Sequence, residues 1–250
     1  VAQEKELKLK IKRQSEYGAE PYWVEYSIPY QPNLNVIAAL MEIRKQPQTA
    51  DGAETTAPAW EMNCLENVCG SCTMVINGKV QQACSTLVDK LTQPITIAPM
   101  TKFPVVKDLI VDRSRMFSNL LKIRGWIPID GTYDLGPGPR QSEAERQKNY
   151  QYSQCMTCGC CLEVCPQVNE HSNFIGASAI GQVRLFNHHP TGAMNKEDRL
   201  DALAADDGIA TCGNAQNCVK ACPKEIPLTE AIAEMNRDVS IYKLKKFFGG

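Results

Sequence analysis

The chain has 250 residues and a mass of 27.7 kDa, with 43% hydrophobic and 22% charged residues. That composition suits a soluble globular protein with a proper core and excludes a disordered chain. Lys plus Arg number 27 against 28 Asp plus Glu, a formal charge of −1, so the basic excess of a nucleic-acid binder is missing. No stretch approaches the roughly 20 apolar residues that span a bilayer, and Val1–Ile11, with Lys5, Lys8 and Lys10, does not read as a signal peptide.

In chain order, Glu6–Arg13 alternates apolar and charged residues as a half-buried strand does, and Tyr22–Ile28 alternates again, with Gly18 and Pro21 between them. Val36–Arg44 has helical spacing, with Asn35 as N-cap and Pro47 as stop. A loop over 48–59 precedes Thr73–Ile76, Asn77-Gly78 and Lys79–Ala83, a hairpin with a type I′ turn signal, and then a short strand at Pro94–Ile97. These elements predict a compact α+β domain over 1–106. From 107 to 250 the pattern is helical. Helices are expected over Lys107–Arg124, Glu143–Tyr150, Lys196–Ala205 and Pro227–Phe248, with an irregular loop at Gly131–Pro139.

The unusual quantity is 12 cysteines, clustered at 64–84, 155–165 and 212–222. Disulfide scaffolds belong to small secreted domains, whereas clustering at ligand spacing points to metal. Cys64, Cys69, Cys72 and Cys84 read C-x4-C-x2-C-x11-C, the plant-type [2Fe–2S] spacing. Three thiolates come from one tight loop, with the small Gly70 and Ser71 allowing backbone N–H groups close to the sulfur. A four-cysteine zinc site is the competing reading, but zinc sites pair short C-x2-C or C-x4-C units across a longer spacer.

Cys155, Cys158, Cys161, Cys165 and Pro166 form a full C-x2-C-x2-C-x3-C-P run, the bacterial ferredoxin motif whose fourth cysteine ligates the other cluster. Cys212, Ala215, Cys218, Cys222 and Pro223 repeat that frame with alanine for the second cysteine. Exchanging the fourth members assigns Cys155, Cys158, Cys161 and Cys222 to a [4Fe–4S] cluster. Cys165, Cys212 and Cys218 remain for a third cluster. Ala215 cannot ligate, so [3Fe–4S] is expected there, a fourth iron held by water or hydroxide being the alternative. Cys160 is expected to be an unligated small hydrophobe.

CLENVCGSC with Cys84, CMTCGCCLEVCP, Phe174-Ile175-Gly176 and CGNAQNCVKACP together resemble the iron–sulfur subunit of succinate dehydrogenase and fumarate reductase (the respiratory complex II family), over essentially the whole chain. The resemblance implies an N-terminal β-grasp [2Fe–2S] ferredoxin domain and an all-α bacterial-ferredoxin-like domain. It implies partners too: a flavoprotein carrying FAD, and a membrane-anchor subunit of cytochrome b type with quinone and haem. Electrons would pass between FAD and quinone through the three clusters, on the cytoplasmic face of a bacterial membrane. Pro166, Gly213 and Ala215 would then lie beside the quinone. In ubiquinone-reducing relatives a tryptophan and a histidine stand where this chain has Glu170 and Gly213, so menaquinone is the expected acceptor.

The same resemblance leaves open operation as a fumarate reductase, or service to another flavoprotein dehydrogenase. A zinc-stabilised interaction protein and a free ferredoxin are the readings from other classes. His171, His188 and His189 are expected at the surface or facing the anchor. Arg184, Arg199 and Lys224 read either as cluster-facing charges or as surface cations, and Lys243, Lys245, Lys246, Phe247 and Phe248 form a basic, apolar tail. No phosphate-cradling loop or catalytic triad is present in the sequence, so this chain alone is not expected to bind FAD or turn over succinate.

Overall fold

In the computed structural model, which describes residues 5–128 and 140–249, strand β1 (Glu6–Arg13) turns Leu7, Leu9, Ile11 and Arg13 inward and its lysines outward. It pairs antiparallel with β2 (Tyr22–Pro29) from Glu6↔Pro29 to Arg13↔Tyr22. On the face of β2 that carries Tyr22, Val24, Tyr26 and Ile28, Tyr26 and Ile28 are buried while Tyr22 is exposed. The reason is that β2 is a sheet edge whose start runs beyond the core.

Helix α1 (Val36–Lys45) begins at Asn35, whose side chain accepts the Ala38 N–H at 2.8 Å. It buries Val36, Ile37, Ala39, Leu40 and Ile43. β3 (Thr73–Ile76) and β4 (Lys79–Gln82) form the expected hairpin, and Asn77 and Gly78 both have positive φ (47° and 76°), as a type I′ turn requires. β5 (Ile95–Ala98) runs parallel to β1 and antiparallel to β3, giving the order β2-β1-β5-β3-β4. Sheet and helix share one apolar core, which is the β-grasp arrangement.

The helix expected over Lys107–Arg124 begins only at Ser114. Before it, β6 (Val105–Lys107) and β7 (Ile110–Val111) form a small hairpin, and α2 spans Ser114–Lys122. Asp108, at the turn with φ 48°, is 1% exposed and ion-paired to the buried Arg13 at 2.8 Å. Leu109 packs into the first core. That burial ties the hairpin to the sheet, and the chain divides into compact units at Val1–Arg113 and Ser114–Gly250 rather than at residue 106.

The described part of the second unit is helical: α3 (Glu143–Ser153), α4 (Cys160–Glu163), α5 (Gly176–Asn187), α6 (Lys196–Ala204), α7 (Asn217–Ala221) and α8 (Leu228–Gly249). Gly131–Pro139 lies outside the described residues. Helix α5 is central, and at Gly181 a Cβ would meet Leu228 at 3.2 Å, so the missing side chain lets α8 approach closely. Arg184 and Arg199 are 0% exposed and are neither surface cations nor cluster-facing charges. Arg184 bonds Glu234 (2.8 Å), Glu145 (3.0 Å) and Asn149, tying α5 to α8 and α3. Arg199 donates to the carbonyls of Arg124, Trp126 and Gly192 and to Asn187. Both side chains close the donor balance of the interior instead of meeting solvent. Among the described residues, no helix is long and apolar enough to cross a membrane.

Candidate metal centres

The first cysteine loop is shaped by left-handed backbone at Leu65 (φ 61°), Asn67 (φ 59°) and Gly70 (φ 75°). These turns bring the N–H groups of Val68 and Cys69 onto the Cys64 sulfur, each at 3.3 Å. The Cys69 sulfur lies 3.3 Å from the Ser71 hydroxyl. Cys72 is buried and lies beside Cys84, which sits in a short 3-10 turn directly after β4 rather than within the strand. Burial and the neighbouring Cys84 sulfur push the Cys72 thiol up to about 11. Burial also raises Cys69, but hydrogen bonds from Ser71 and the backbone outweigh it and bring that thiol down to about 6.

The loop is clamped from outside. Arg113 donates to the carbonyls of Gly70 (2.8 Å) and Ser71 (2.6 Å) and pairs with Glu61 at 3.4 Å. Thr73 donates to Gly70 O at 2.7 Å, and Gln82 donates to Thr73 at 2.9 Å. Arg113 Nε is buried without a partner. Anionic sulfur needs such donors, so this thiol set and its surroundings fit a [2Fe–2S] cluster.

In the second unit the two ferredoxin motifs adopt the same local backbone. Thr157 and Gly159 have φ 50° and 88°, and Asn214 and Gln216, at the same offsets from Cys212, have φ 53° and 60°. Ala215 therefore occupies the backbone position that Cys158 holds in the first motif. One recess, about 370 Å³, is lined by Cys155, Cys158, Cys161 and Cys222, together with Ser178 and the fully buried Cys160. The other, about 410 Å³, brings Cys165 together with Cys212 and Cys218 and is lined also by Pro166, Gln167, Phe174, Gly213 and Ala215.

Electrostatics divides the thiols in the same way. Burial, then the charges of Cys158 and Cys155, drive the Cys161 thiol well up. Cys155 is raised by burial and by Cys158 and Cys222, and Cys218 by burial and by Cys165 and Cys212. Grouped buried thiolates need a compensating cation, and iron that displaces their protons would supply it. Among the described residues no three His, Cys, Asp or Glu side chains converge on a single-ion site; the sulfurs surround recesses instead.

Several residues at these sites carry no signal in the sequence. Besides Arg113, Arg115 donates to the carbonyls of Ser172 (2.6 Å), Phe174 (3.1 Å) and Asn169 (3.3 Å), holding the segment after Cys165. Burial lowers its pKa, and the Cys165 thiolate opposes that. Isolated arginines tens of residues from the motif they serve have no spacing to betray them. His171 is exposed as expected, but His188 is half-buried, 3.0 Å from Glu145 and 3.9 Å from Glu234. His189 accepts the Thr191 and Gly192 N–H groups. In the tail, Phe247 and Phe248 are exposed, while Lys246 pairs with Asp201 at 2.9 Å.

Comparison with known proteins follows the same division. A 2Fe-2S iron-sulfur cluster binding domain model matches residues 8–118, and a 4Fe-4S dicluster domain model matches residues 151–226. The chain is 58% identical to the succinate dehydrogenase iron-sulfur subunit of Bacillus subtilis, covering 100% of this chain and 98% of that one. It is 30% identical to the fumarate reductase iron-sulfur subunit of Wolinella succinogenes, covering 88% and 90%. A chain of the Mycobacterium smegmatis Sdh1 complex in the apo form superposes with a TM-score of 0.78 at 25% identity, over 96% of this chain and 97% of that one.

Proposed function

This chain belongs to the family of succinate dehydrogenase and fumarate reductase iron–sulfur subunits, and on that premise we propose that it relays electrons between the FAD of a flavoprotein partner and a membrane quinone. Cys64, Cys69, Cys72 and Cys84 hold the [2Fe–2S] cluster, Cys155, Cys158, Cys161 and Cys222 the [4Fe–4S] cluster, and Cys165, Cys212 and Cys218 a [3Fe–4S] cluster. Bound there, the clusters supply one-electron carriers that connect a two-electron flavin to a two-electron quinone. The chain's own residues position the sulfurs, bring N–H donors to them and wall them off with apolar side chains.

The observation that carries this reading is Ala215, which stands in the backbone position of Cys158 beside a recess holding three cysteines. A third centre short of one thiolate suits a terminal carrier. Pro166, Gly213 and Ala215 line that recess, and the quinone binds on that side. With glycine at 213 and Glu170 in place of the bulky groups of ubiquinone-type relatives, menaquinone is the acceptor. A haem-bearing anchor of cytochrome b type holds the subunit on the cytoplasmic face of the membrane. The higher identity to a succinate dehydrogenase subunit than to a fumarate reductase subunit favours succinate oxidation as the working direction.

Purification of the complex from membranes tests the reading. It should yield a flavoprotein and a haem-containing anchor, iron with acid-labile sulfide, and an oxidised [3Fe–4S] EPR signal. Extracted quinone should be menaquinone; ubiquinone alone would sink that part, and zinc without sulfide would sink the whole.

A further inference from the structure

Lys224 follows Cys222 by two residues, behind Pro223, and a turn closed by the Glu225 N–H on Cys222 O at 3.1 Å keeps it at the recess of Cys155, Cys158, Cys161 and Cys222. Among the described residues it is the one charged side chain that lines that recess. The recess of Cys165, Cys212 and Cys218 has no charged residue in its described lining. The other lysines of the second unit behave differently. Lys122, Lys148, Lys196 and Lys246 each pair with a carboxylate, and Lys220, Lys243 and Lys245 are exposed. Lys224 alone among them is half-buried and has no carboxylate partner among the described residues. Glu225, next in sequence, is exposed. A half-buried ammonium calls for negative charge nearby, and the thiols are what this wall offers. Ile226 and Leu228, 3% and 2% exposed, line the same recess, so charges here meet through less water than at the open surface.

On the reading that those four cysteines hold a [4Fe–4S] cluster, we propose that Lys224 sets the potential of that centre, its ammonium stabilising the negative charge that arrives with each electron. Reduction adds one electron, received from the flavin-side carrier and passed on toward quinone, and no bond is made or broken. Lys224 acts only through the cluster. Its removal changes the affinity for that electron about tenfold, the effect of a unit charge about 10 Å away at an effective dielectric constant of about 20. For a one-electron couple, tenfold is about 59 mV. The third centre, whose recess has no charged lining residue among those described, should feel the change less.

The test is a chemical redox titration of the intact membrane-bound complex, following the EPR signals of all three centres. Lys224→Met should lower the [4Fe–4S] midpoint by about the tenfold equivalent, about 59 mV. Lys224→Arg, which keeps the charge, should change the electron affinity less than twofold. The [2Fe–2S] and [3Fe–4S] midpoints should move less than that of the [4Fe–4S] centre in either variant. If methionine at 224 abolishes the [4Fe–4S] signal, Lys224→Gln supplies a neutral polar side chain and is read in the same way. A midpoint within twofold of wild type in the neutral variant would overturn the proposal. So would an arginine variant that falls as far as methionine, which would make packing the cause, or an equal shift at all three centres. Loss of the signal in both neutral variants with retention in arginine would also overturn it, because the lysine would then be holding the cluster in place. If the reduced wild-type complex shows no [4Fe–4S] signal, the ligand reading beneath the proposal is what fails.

Discussion

Replacing Asp108 by alanine should cost the first unit about 3–5 kcal/mol, the range for breaking one partner of a buried ion pair. The structure sets that size. Arg13 and Asp108 side chains are 3% and 1% exposed and 2.8 Å apart. Arg13 also donates to Tyr26 OH (2.7 Å) and Thr56 O (2.8 Å), so it cannot swing out to water without opening the sheet. Asp108 in turn accepts the N–H groups of Gln14 (3.0 Å) and Ala59 (2.8 Å). Asp108→Ala therefore leaves a buried guanidinium without its counter-ion and orphans two backbone donors. Against a typical stability of about 5–15 kcal/mol for a domain, that is a large share. The midpoint for thermal loss of [2Fe–2S] visible circular dichroism in the intact complex should fall by about 10 °C or more. The pair Arg13→Met with Asp108→Leu should recover much of the loss, since an apolar replacement of both partners is often neutral. A single-variant shift below about 2 °C, or a double variant as unstable as the two losses combined, would refute the reasoning.

Ala215→Cys should supply a fourth thiolate to the recess of Cys165, Cys212 and Cys218, replace the oxidised [3Fe–4S] EPR signal by a [4Fe–4S] one at lower potential, and slow quinone reduction; an unchanged signal would show the ligand set to be wrong. Arg113→Met should loosen the first cysteine loop by about 2 kcal/mol, because Ser71 O loses the donor at 2.6 Å while Gly70 O keeps Thr73; the expected readout is faster loss of the [2Fe–2S] signal with the other two centres retained. His188 has its pKa held below the ordinary value by burial and then by Arg184, against the opposing pull of Glu145 and Glu234. The unfolded chain therefore takes up that proton first, and stability from this site, complete above about pH 6.5, declines as pH falls toward the depressed folded value. Glu234, with burial raising it but Lys148 and Arg184 holding it below its ordinary value, loses its share only in the lower carboxylate range, so the two windows separate. The thermal midpoint measured between about pH 5 and 7.5 should show the slope, and His188→Gln should flatten it.

Cysteine spacing carries its meaning locally. The loop from Cys64 to Cys72, and the run from Cys155 to Pro166, need only a few residues of backbone to converge their thiols, so their chemistry is legible in the chain. The same holds for β1, α1 and the Asn77-Gly78 hairpin, where alternation, capping and turn residues act within one element. Ala215 was legible too, because it breaks a frame that the other motif defines. The helix expected from residue 107 failed for the opposite reason: Asp108 and Leu109 obey partners in β1 and the first core, far away in sequence, and those contacts turn the segment into a hairpin. Arg184 and Arg199 look like surface charge until three helices and a set of carbonyls surround them. Gln167 and Gly213 sit in separate motifs and acquire a relation only when the chain returns on itself. Composition and spacing alone nominate the thiols proposed to hold iron, since a ligand motif is a local device. Tertiary packing alone decided what surrounds those atoms, since a clamp, a buried counter-ion or a space left by one residue for another exists only between segments that the fold brings together.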